Sequence, residues 1–108
     1  MKRAVWISFD LGVRGDYEGL YGWLEDHNAK ECVGNLAFIN YEVKGNLTQC
    51  LRKDIESSID LDKKTRIYVI WRDSKTNKLK GRFVFGGRRV PPWTGYGSTK
   101  EQGETDES

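Results

Sequence analysis

The sequence is poor in the side chains that most metal sites and hydrolytic active sites require. Its 108 residues include one histidine, His27, and two cysteines, Cys32 and Cys50, which lie 18 positions apart. Zinc fingers need four such ligands at short spacings, so that class is excluded. The chain also lacks a GxSxG motif, a Walker loop and a GxGxxG that opens a helix. It therefore carries no signature of a serine hydrolase or of a phosphate-binding glycine loop. His27, near a predicted helix end, is read as a helix-end residue in preference to a catalytic base.

Long apolar runs and secretory features are equally scarce. No run approaches the ~20 apolar residues that a membrane span needs, and no secretory pattern follows Met1-Lys2-Arg3. We therefore expect a cytoplasmic protein with reduced thiols and no membrane partner. The length and the 37% hydrophobic content predict one domain with a core of modest size.

Charge is distributed unevenly along the chain. Residues 63–89 hold ten lysines and arginines against Asp73 alone, whereas residues 1–62 hold seven against eleven carboxylates. A basic block between acidic flanks favours a surface that faces a polyanion. The alternative is that exposed edge strands carry lysines only to prevent aggregation.

The hydrophobic pattern predicts strands that alternate with two helices. Val5, Ile7 and Phe9 alternate with their neighbours as in a strand of period two. Asp16 is a suitable cap for a helix whose apolar residues follow at i, i+3, i+4 and i+7. The other predicted elements are an extended region at 31–44, either one bent strand or two short ones; a helix capped by Gly45-Asn46; and strands at 65–72 and 79–85, which form a hairpin.

This order predicts an α+β sandwich, an antiparallel sheet with two helices on one face. If the region 31–44 holds two strands, the first six elements read βαββαβ, which is the ferredoxin-like arrangement, and the strand at 79–85 is an extra C-terminal strand. We predict this domain over residues 1–89, a proline and aromatic arm over 90–96, and a disordered acidic tail over 97–108.

The element order and two short motifs resemble a known family. ISFDLG ends the first strand, and KTRIYVIW forms the strand after the second helix. This layout, over roughly residues 4–86, is similar to the small subunit of CRISPR adaptation, a CRISPR-associated endoribonuclease family, and to virulence-associated protein D, a toxin-like ribonuclease. The resemblance implies a ferredoxin-like fold and a symmetric homodimer. The chain departs from the family at Asn35–Phe38, where NLAF replaces its Ser-x-Phe motif.

The resemblance also marks Asp10, at the end of the first strand. The family's aspartate at this position is proposed to hold a divalent metal at the dimer axis. The resemblance therefore implies that Asp10 is the catalytic and metal-binding residue of a magnesium-dependent endoribonuclease or endodeoxyribonuclease. Two copies of Asp10 would share one Mg²⁺. The residues themselves also allow Asp10 simply to cap the following turn by accepting hydrogen bonds from backbone N–H groups.

The basic block predicts a cationic surface. If the last two strands pair with their charged residues on one face, a panel forms that surrounds Tyr68, and two further arginines follow it. Guanidinium groups bind phosphate and aromatic faces stack on bases. The predicted nucleic-acid-binding residues are Arg66, Arg72, Lys80, Arg82, Arg88 and Arg89.

The stretch after the last strand contains both prolines of the chain. Pro91-Pro92 predicts an extended arm, since proline restricts its own φ and the residue before it. We expect Val90, Trp93 and Tyr96 on this arm to dock on a second copy and lock a dimer. The alternative is that Trp93 folds back onto its own domain.

These observations favour a nucleic-acid-associated homodimer, either a nuclease or a structural subunit that binds DNA or RNA. The alternative is a ferredoxin-like protein-interaction or regulatory module that has no affinity for nucleic acid. Nothing in the pattern encodes recognition of a particular base sequence.

Overall fold

Residues 1–98 form five strands and two helices in the predicted order. The structure is a computed structural model, and it describes residues 1–98 of the chain. The fold is α+β, with one antiparallel sheet and two helices. The elements are β1 Lys2–Asp10, α1 Tyr17–Asp26, β2 Lys30–Val33, β3 Leu36–Glu42, α2 Leu47–Glu56, β4 Arg66–Arg72 and β5 Leu79–Phe85.

The sheet has the strand order β2-β3-β1-β4-β5, and every neighbouring pair is antiparallel. The first strand lies at its centre, where Ile7 pairs with Ala37 on one side and with Val69 on the other. The region that the pattern left open holds two strands. They meet at Gly34, whose φ of +53° favours glycine.

Both helices begin at the predicted caps. The Asp16 side chain accepts a hydrogen bond from the Gly19 N–H at 2.9 Å, and the Asn46 side chain accepts one from the Gln49 N–H at 3.0 Å. The second oxygen of Asp16 accepts from the Asp60 N–H at 2.9 Å, which ties α1 to the segment after α2. These bonds satisfy donors that the first turn of a helix leaves unpaired.

The core lies between the helices and one face of the sheet. Every second residue of the central strands points into this core, and Val5, Ile7 and Val69 are fully buried there. Leu20 of α1 and Leu51 of α2 are fully buried as well. They belong to a single hydrophobic cluster. Alternation along the strands leaves the opposite side of the sheet without a covering element among the described residues, and we call this side the open face.

A bulge interrupts the last hairpin. Ile67 pairs with Phe85 and the next residue, Tyr68, pairs with Phe83, so Val84 is the extra residue on β5. The Val84 carbonyl accepts a hydrogen bond of 2.6 Å from Arg52 of α2, whose guanidinium also lies 5.0 Å from the Phe85 ring centre. The bulge is therefore held against the second helix.

Residues 86–98 contain no helix or strand. The predicted extended arm is wrong in its backbone, because the Thr94 N–H donates to the Pro91 carbonyl at 3.1 Å and the Tyr96 N–H donates to the Trp93 carbonyl at 3.0 Å. These bonds make successive turns after Pro91. Apart from residues 97 and 98, the predicted acidic tail lies outside the described residues. Neither helix within residues 1–98 is long and apolar enough to cross a membrane.

Candidate nucleic-acid interface on the open sheet face

Four aromatic side chains lie on the open face. Trp6, Phe38, Tyr68 and Phe83 are all partly exposed and come from four different strands. Trp6 pairs across the sheet with Phe38, and their ring centres are 5.0 Å apart. Tyr68 pairs with Phe83, with ring centres 4.9 Å apart in an edge-to-face arrangement. The result is an aromatic surface, which we call the aromatic face.

A glycine determines how the Tyr68 ring lies. A Cβ atom at Gly81 would stand 2.2 Å from the Tyr68 hydroxyl oxygen and 2.7 Å from the ring carbon that carries it. The phenol therefore rests directly on the backbone of β5, where any larger residue would displace it. Sequence reasoning missed Gly81. A glycine inside a strand, which often marks a close approach of another group, was the available signal.

A recess of about 400 Å³ opens at the end of the aromatic face beside Asp10. Tyr68 and Phe83 contribute aromatic walls. Hydrogen-bonding side chains complete it, and its lining is Ser8, Phe9, Asp10, Asn35, Arg66, Tyr68, Phe83 and Arg88. The Asn35 amide is fixed by donating to the Phe9 carbonyl at 2.7 Å. The recess combines flat apolar walls with donors and acceptors, which are the two features that a nucleobase presents to a protein.

Asp10 is held by two donors. One carboxylate oxygen accepts a hydrogen bond from the Gly12 N–H at 3.1 Å, and the other accepts one from the Arg66 guanidinium at 3.1 Å. The bond from Arg66 is the main reason, and the bond from Gly12 the next, why the pKa of Asp10 lies below its ordinary value. Asp10 thus caps the turn after β1, as the residue pattern allowed.

The Asp10→Asn variant is expected to lose stability in a pH-dependent way. A carboxyl whose pKa is lowered by folding stabilises the protein above its ordinary pKa, and this contribution disappears as the pH falls through the lowered value. Because the pair is partly exposed, the loss at neutral pH should be below about 1 kcal/mol. Urea denaturation of both proteins at neutral pH and at about pH 2.5 measures it, and a difference that grows in acid would contradict the assignment.

The implied magnesium does not fit the donors of a single chain. Both oxygens of Asp10 are engaged, and the nearest partner is a cation, Arg66. Within residues 1–98, no three histidine, cysteine, aspartate or glutamate side chains converge on a common point. The shared magnesium between two copies of Asp10 therefore stays a prediction.

The predicted cationic panel is wrong as a single surface. Arg66 and Arg72 lie on the open face with Tyr68. Lys80 pairs with Trp71 and Arg82 pairs with Val69, so both lie on the helix side of the sheet. The register of the hairpin is the physical reason. Arg72 pairs with Leu79 next to the turn, and the continuous pairing from there to Tyr68 and Phe83 brings even-numbered residues of β4 and odd-numbered residues of β5 onto one face.

The arginines of the open face each contact a neighbouring group of the protein. Arg66 donates to Asp10 and, at 3.5 Å, to the Gly87 carbonyl, while Arg72 donates to the Asn77 carbonyl at 2.9 Å. The Arg88 guanidinium lies 5.8 Å from the centre of the Phe83 ring. Arg89 also helps to lower the pKa of Asp10 by its charge. Arg66, Arg88 and Arg89 therefore gather at the same end of the face, near the recess.

The aromatic residues after β5 are uncovered. Val90, Trp93 and Tyr96 are 80%, 72% and 85% exposed. Trp93 consequently does not fold back onto its own domain, which removes that alternative.

His27 occupies the end of α1, as predicted. One ring nitrogen lies 2.8 Å from the Trp23 carbonyl, and the other lies 3.3 Å from the Asp54 carboxylate of α2. The Tyr41 hydroxyl donates to the same carboxylate at 3.0 Å, and burial of the phenol raises the pKa of Tyr41 far above its ordinary value. This group links α1, α2 and β3, so its evident role is structural.

No model of a known protein family, no curated protein and no solved structure matches the chain. The chemistry of the open face must therefore be inferred from its own side chains. They offer flat aromatic surfaces for stacking, a recess with hydrogen-bonding groups, and arginines at its edge. This arrangement can bind an unpaired base and the phosphate next to it.

Proposed function

We propose that the aromatic face binds single-stranded nucleic acid. The observation that carries this proposal is the placement of Trp6, Phe38, Tyr68 and Phe83 on the uncovered side of the sheet, in two touching pairs. Unstacked bases bind by stacking on aromatic side chains, and each contributes roughly 1–3 kcal/mol. Paired bases cannot reach a flat sheet in this way, so the surface favours single strands.

Charge at the margins of the open face supports a polyanionic ligand. Strand alternation and cross-strand pairing show which charged side chains of residues 1–98 lie on this face. The cationic ones outnumber the two carboxylates, which are those of Asp10 and Glu42. Each carboxylate is already bound to a cation, Asp10 to Arg66 and Glu42 to the amino terminus. The cationic side chains are Lys2, Lys30, Arg66, Arg72 and Arg88.

The same charges disfavour a second copy on this face. In a two-fold interface the same patch meets itself, so Arg66, Arg72 and Arg88 would face a surface rich in cations. A phosphate backbone compensates them instead. We therefore assign the open face to nucleic acid and leave dimerisation to a different surface. This assignment competes with the magnesium shared by two copies of Asp10, because that arrangement would bring two open faces together.

Binding is tested with fluorescein-labelled 12-nucleotide RNA and DNA and with a duplex of equal length, by fluorescence anisotropy at two salt concentrations. Single strands should bind more tightly than the duplex. If Arg66, Arg72 and Arg88 each contact a phosphate, the logarithm of the binding constant should fall with the logarithm of salt with a slope of about −2. Absence of binding to either single strand at low salt would end the proposal.

We further propose that the domain is ferredoxin-like. The first four strands have the order β2-β3-β1-β4 and are separated by helices in the βαββαβ sequence, and β5 extends the sheet beyond β4. This extra strand distinguishes the sheet from a four-stranded one. Membership in the CRISPR adaptation or virulence-associated protein D families, and nuclease activity, remain proposals. Magnesium-dependent cleavage that Asp10→Asn abolishes would support both.

A second candidate function is a homodimer or protein-interaction module built on the segment after β5. Val90, Trp93 and Tyr96 are large side chains with at least 72% of their surface exposed within seven residues of chain. Such a cluster is typical of a protein contact, because tryptophan and tyrosine bury much area when they find a pocket. The turns after Pro91 present these side chains without any covering element among residues 1–98.

Deletion of residues 90–108 is expected to convert a dimer into a monomer. The physical reason is the loss of the exposed indole, phenol and isopropyl groups as an interface. Light scattering at matched concentrations measures the mass, and a Trp93→Ala, Tyr96→Ala variant separates the aromatic contribution from that of the tail. A dimer that survives the deletion would refute the role of this segment.

A further inference from the structure

A second basic recess lies on the helix side of the sheet, between the start of α2 and the β4–β5 hairpin. Its volume is about 510 Å³, within the range of small-molecule sites. Val43, Leu47 and Trp71 contribute apolar walls. Four cationic side chains also line it, namely Arg3, Lys75, Lys80 and Arg82. Lys80 and Arg82, which the register removes from the open face, therefore contribute to a site of a different kind.

The charges of this recess are poorly compensated. Asp73 is the only lining carboxylate among residues 1–98; it lies 3.7 Å from the Lys80 ammonium and also accepts hydrogen bonds from Thr76. Neither the Lys75 side chain nor the Arg82 side chain makes a hydrogen bond or ion pair with any residue of the described chain. Two full positive charges are thus available to a ligand.

Arg3 is positioned in advance. Its guanidinium donates to the Ser74 hydroxyl at 2.8 Å and to the Arg72 carbonyl at 3.4 Å. Its Nε atom is buried and has no partner among residues 1–98. The hairpin therefore holds this arginine in place, which lowers the ordering cost that its side chain adds to the binding of an anion.

We propose that this recess binds a compact ligand that carries two or more phosphate groups. Several cations converge on one concave site, and guanidinium and ammonium groups together match multiple phosphate oxygens. The partly buried Trp71 ring at the wall can contact an organic part of the ligand, such as a nucleobase. The site lies on the opposite side of the sheet from the aromatic face, so the two bind independently.

Isothermal titration calorimetry with pyrophosphate and, separately, with ADP tests the proposal. The test variant is Lys75→Gln plus Arg82→Gln, whose side chains support no described contact. The control is Lys53→Gln plus Lys63→Gln, which removes the same charge from exposed positions elsewhere. The wild-type protein should bind one equivalent, the test variant should bind at least about tenfold more weakly, and the control should stay within about twofold.

The two probes distinguish the sources of phosphate. Tighter binding of ADP than of pyrophosphate would identify the ligand as a nucleotide. In that case ADP should shift the resonance of the Trp71 indole N–H, and Trp71→Phe should remove this signal. Equal affinity for ADP and pyrophosphate would identify the ligand as free polyphosphate. No binding of either probe, or equal weakening in the test and control variants, would overturn the site. Failure of the aromatic face would be seen separately, because Tyr68→Ala should weaken single-strand binding and leave pyrophosphate binding unchanged.

Discussion

The Trp6→Ala, Tyr68→Ala double variant is expected to bind single-stranded nucleic acid at least about thirtyfold more weakly than the wild-type protein. Each stacked base loses roughly 1–3 kcal/mol when its aromatic partner becomes alanine, so two losses of the lower size give this factor. One ring comes from each aromatic pair, which leaves no intact pair on the open face. Fluorescence anisotropy at low salt, with circular dichroism to confirm folding, measures the effect.

Matched variants separate stacking from general loss of aromatic area. Tyr21→Ala removes a 55% exposed phenol from α1 and should leave affinity within about twofold. Gly81→Val retains every aromatic ring of the open face, but its side chain would displace the Tyr68 phenol from the backbone of β5. This variant should weaken single-strand binding several-fold. If Tyr68→Ala and Tyr21→Ala weaken binding equally, the open face is not the binding surface.

The Leu51→Ala variant is expected to lower the free energy of unfolding by about 2–5 kcal/mol. Leu51 is fully buried in the middle of α2 and belongs to the cluster that joins both helices to the sheet. Truncation removes apolar contacts and leaves a cavity that the surrounding side chains only partly fill. Domains of this size have a free energy of unfolding of about 5–15 kcal/mol, so the variant should be close to its stability limit.

Urea denaturation followed by circular dichroism measures this change. Leu61→Ala is the control, because Leu61 is 42% exposed and its truncation should cost far less. If Leu51→Ala and Leu61→Ala cost the same, α2 would not pack as described. A large loss for Leu51→Ala with unchanged single-strand affinity in the folded fraction would show that the open face and the core act separately.

The elements could be predicted from the sequence because their signals are local. Alternation at Val5, Ile7 and Phe9 specifies a strand with one buried face, and those three residues are buried. Asp16 and Asn46 each cap a helix because a short oxygen-bearing side chain can reach a free N–H three residues on. These interactions depend only on neighbours in the chain, so reading the chain suffices.

The panel failed because it depended on a register between two strands. Arg66, Arg72, Lys80 and Arg82 alternate correctly within each strand, but pairing decides which alternate sets meet. Pairing that starts at Arg72 and Leu79 beside the turn puts Lys80 opposite Trp71 and Arg82 opposite Val69, and the bulge at Val84 lies beyond these pairs. The sequence Phe83-Val84-Phe85 carries no local signal for the bulge, because the contact that stabilises the bulge comes from Arg52, more than thirty residues away.

The candidate site was predictable only in part. The pattern placed Arg66 and Tyr68 on one face and Trp6 on the side of β1 away from the core, which the structure confirms. It did not join Trp6 to Phe38 or Tyr68 to Gly81, because those contacts form between strands. The exposure of the Trp93 side chain likewise depends on whether another element of the domain packs against it, which the local sequence does not determine.

The amino-acid order by itself determined the strands, the helices, their caps and the presence of a strongly basic segment, since each follows from spacing along the chain. Tertiary structure alone decided that this segment divides between two sides of the sheet. It also decided that four aromatic rings meet on the uncovered side. The reason is geometric: side chains alternate along a strand with a period of two, so the register between two paired strands decides which alternate side chains share a face.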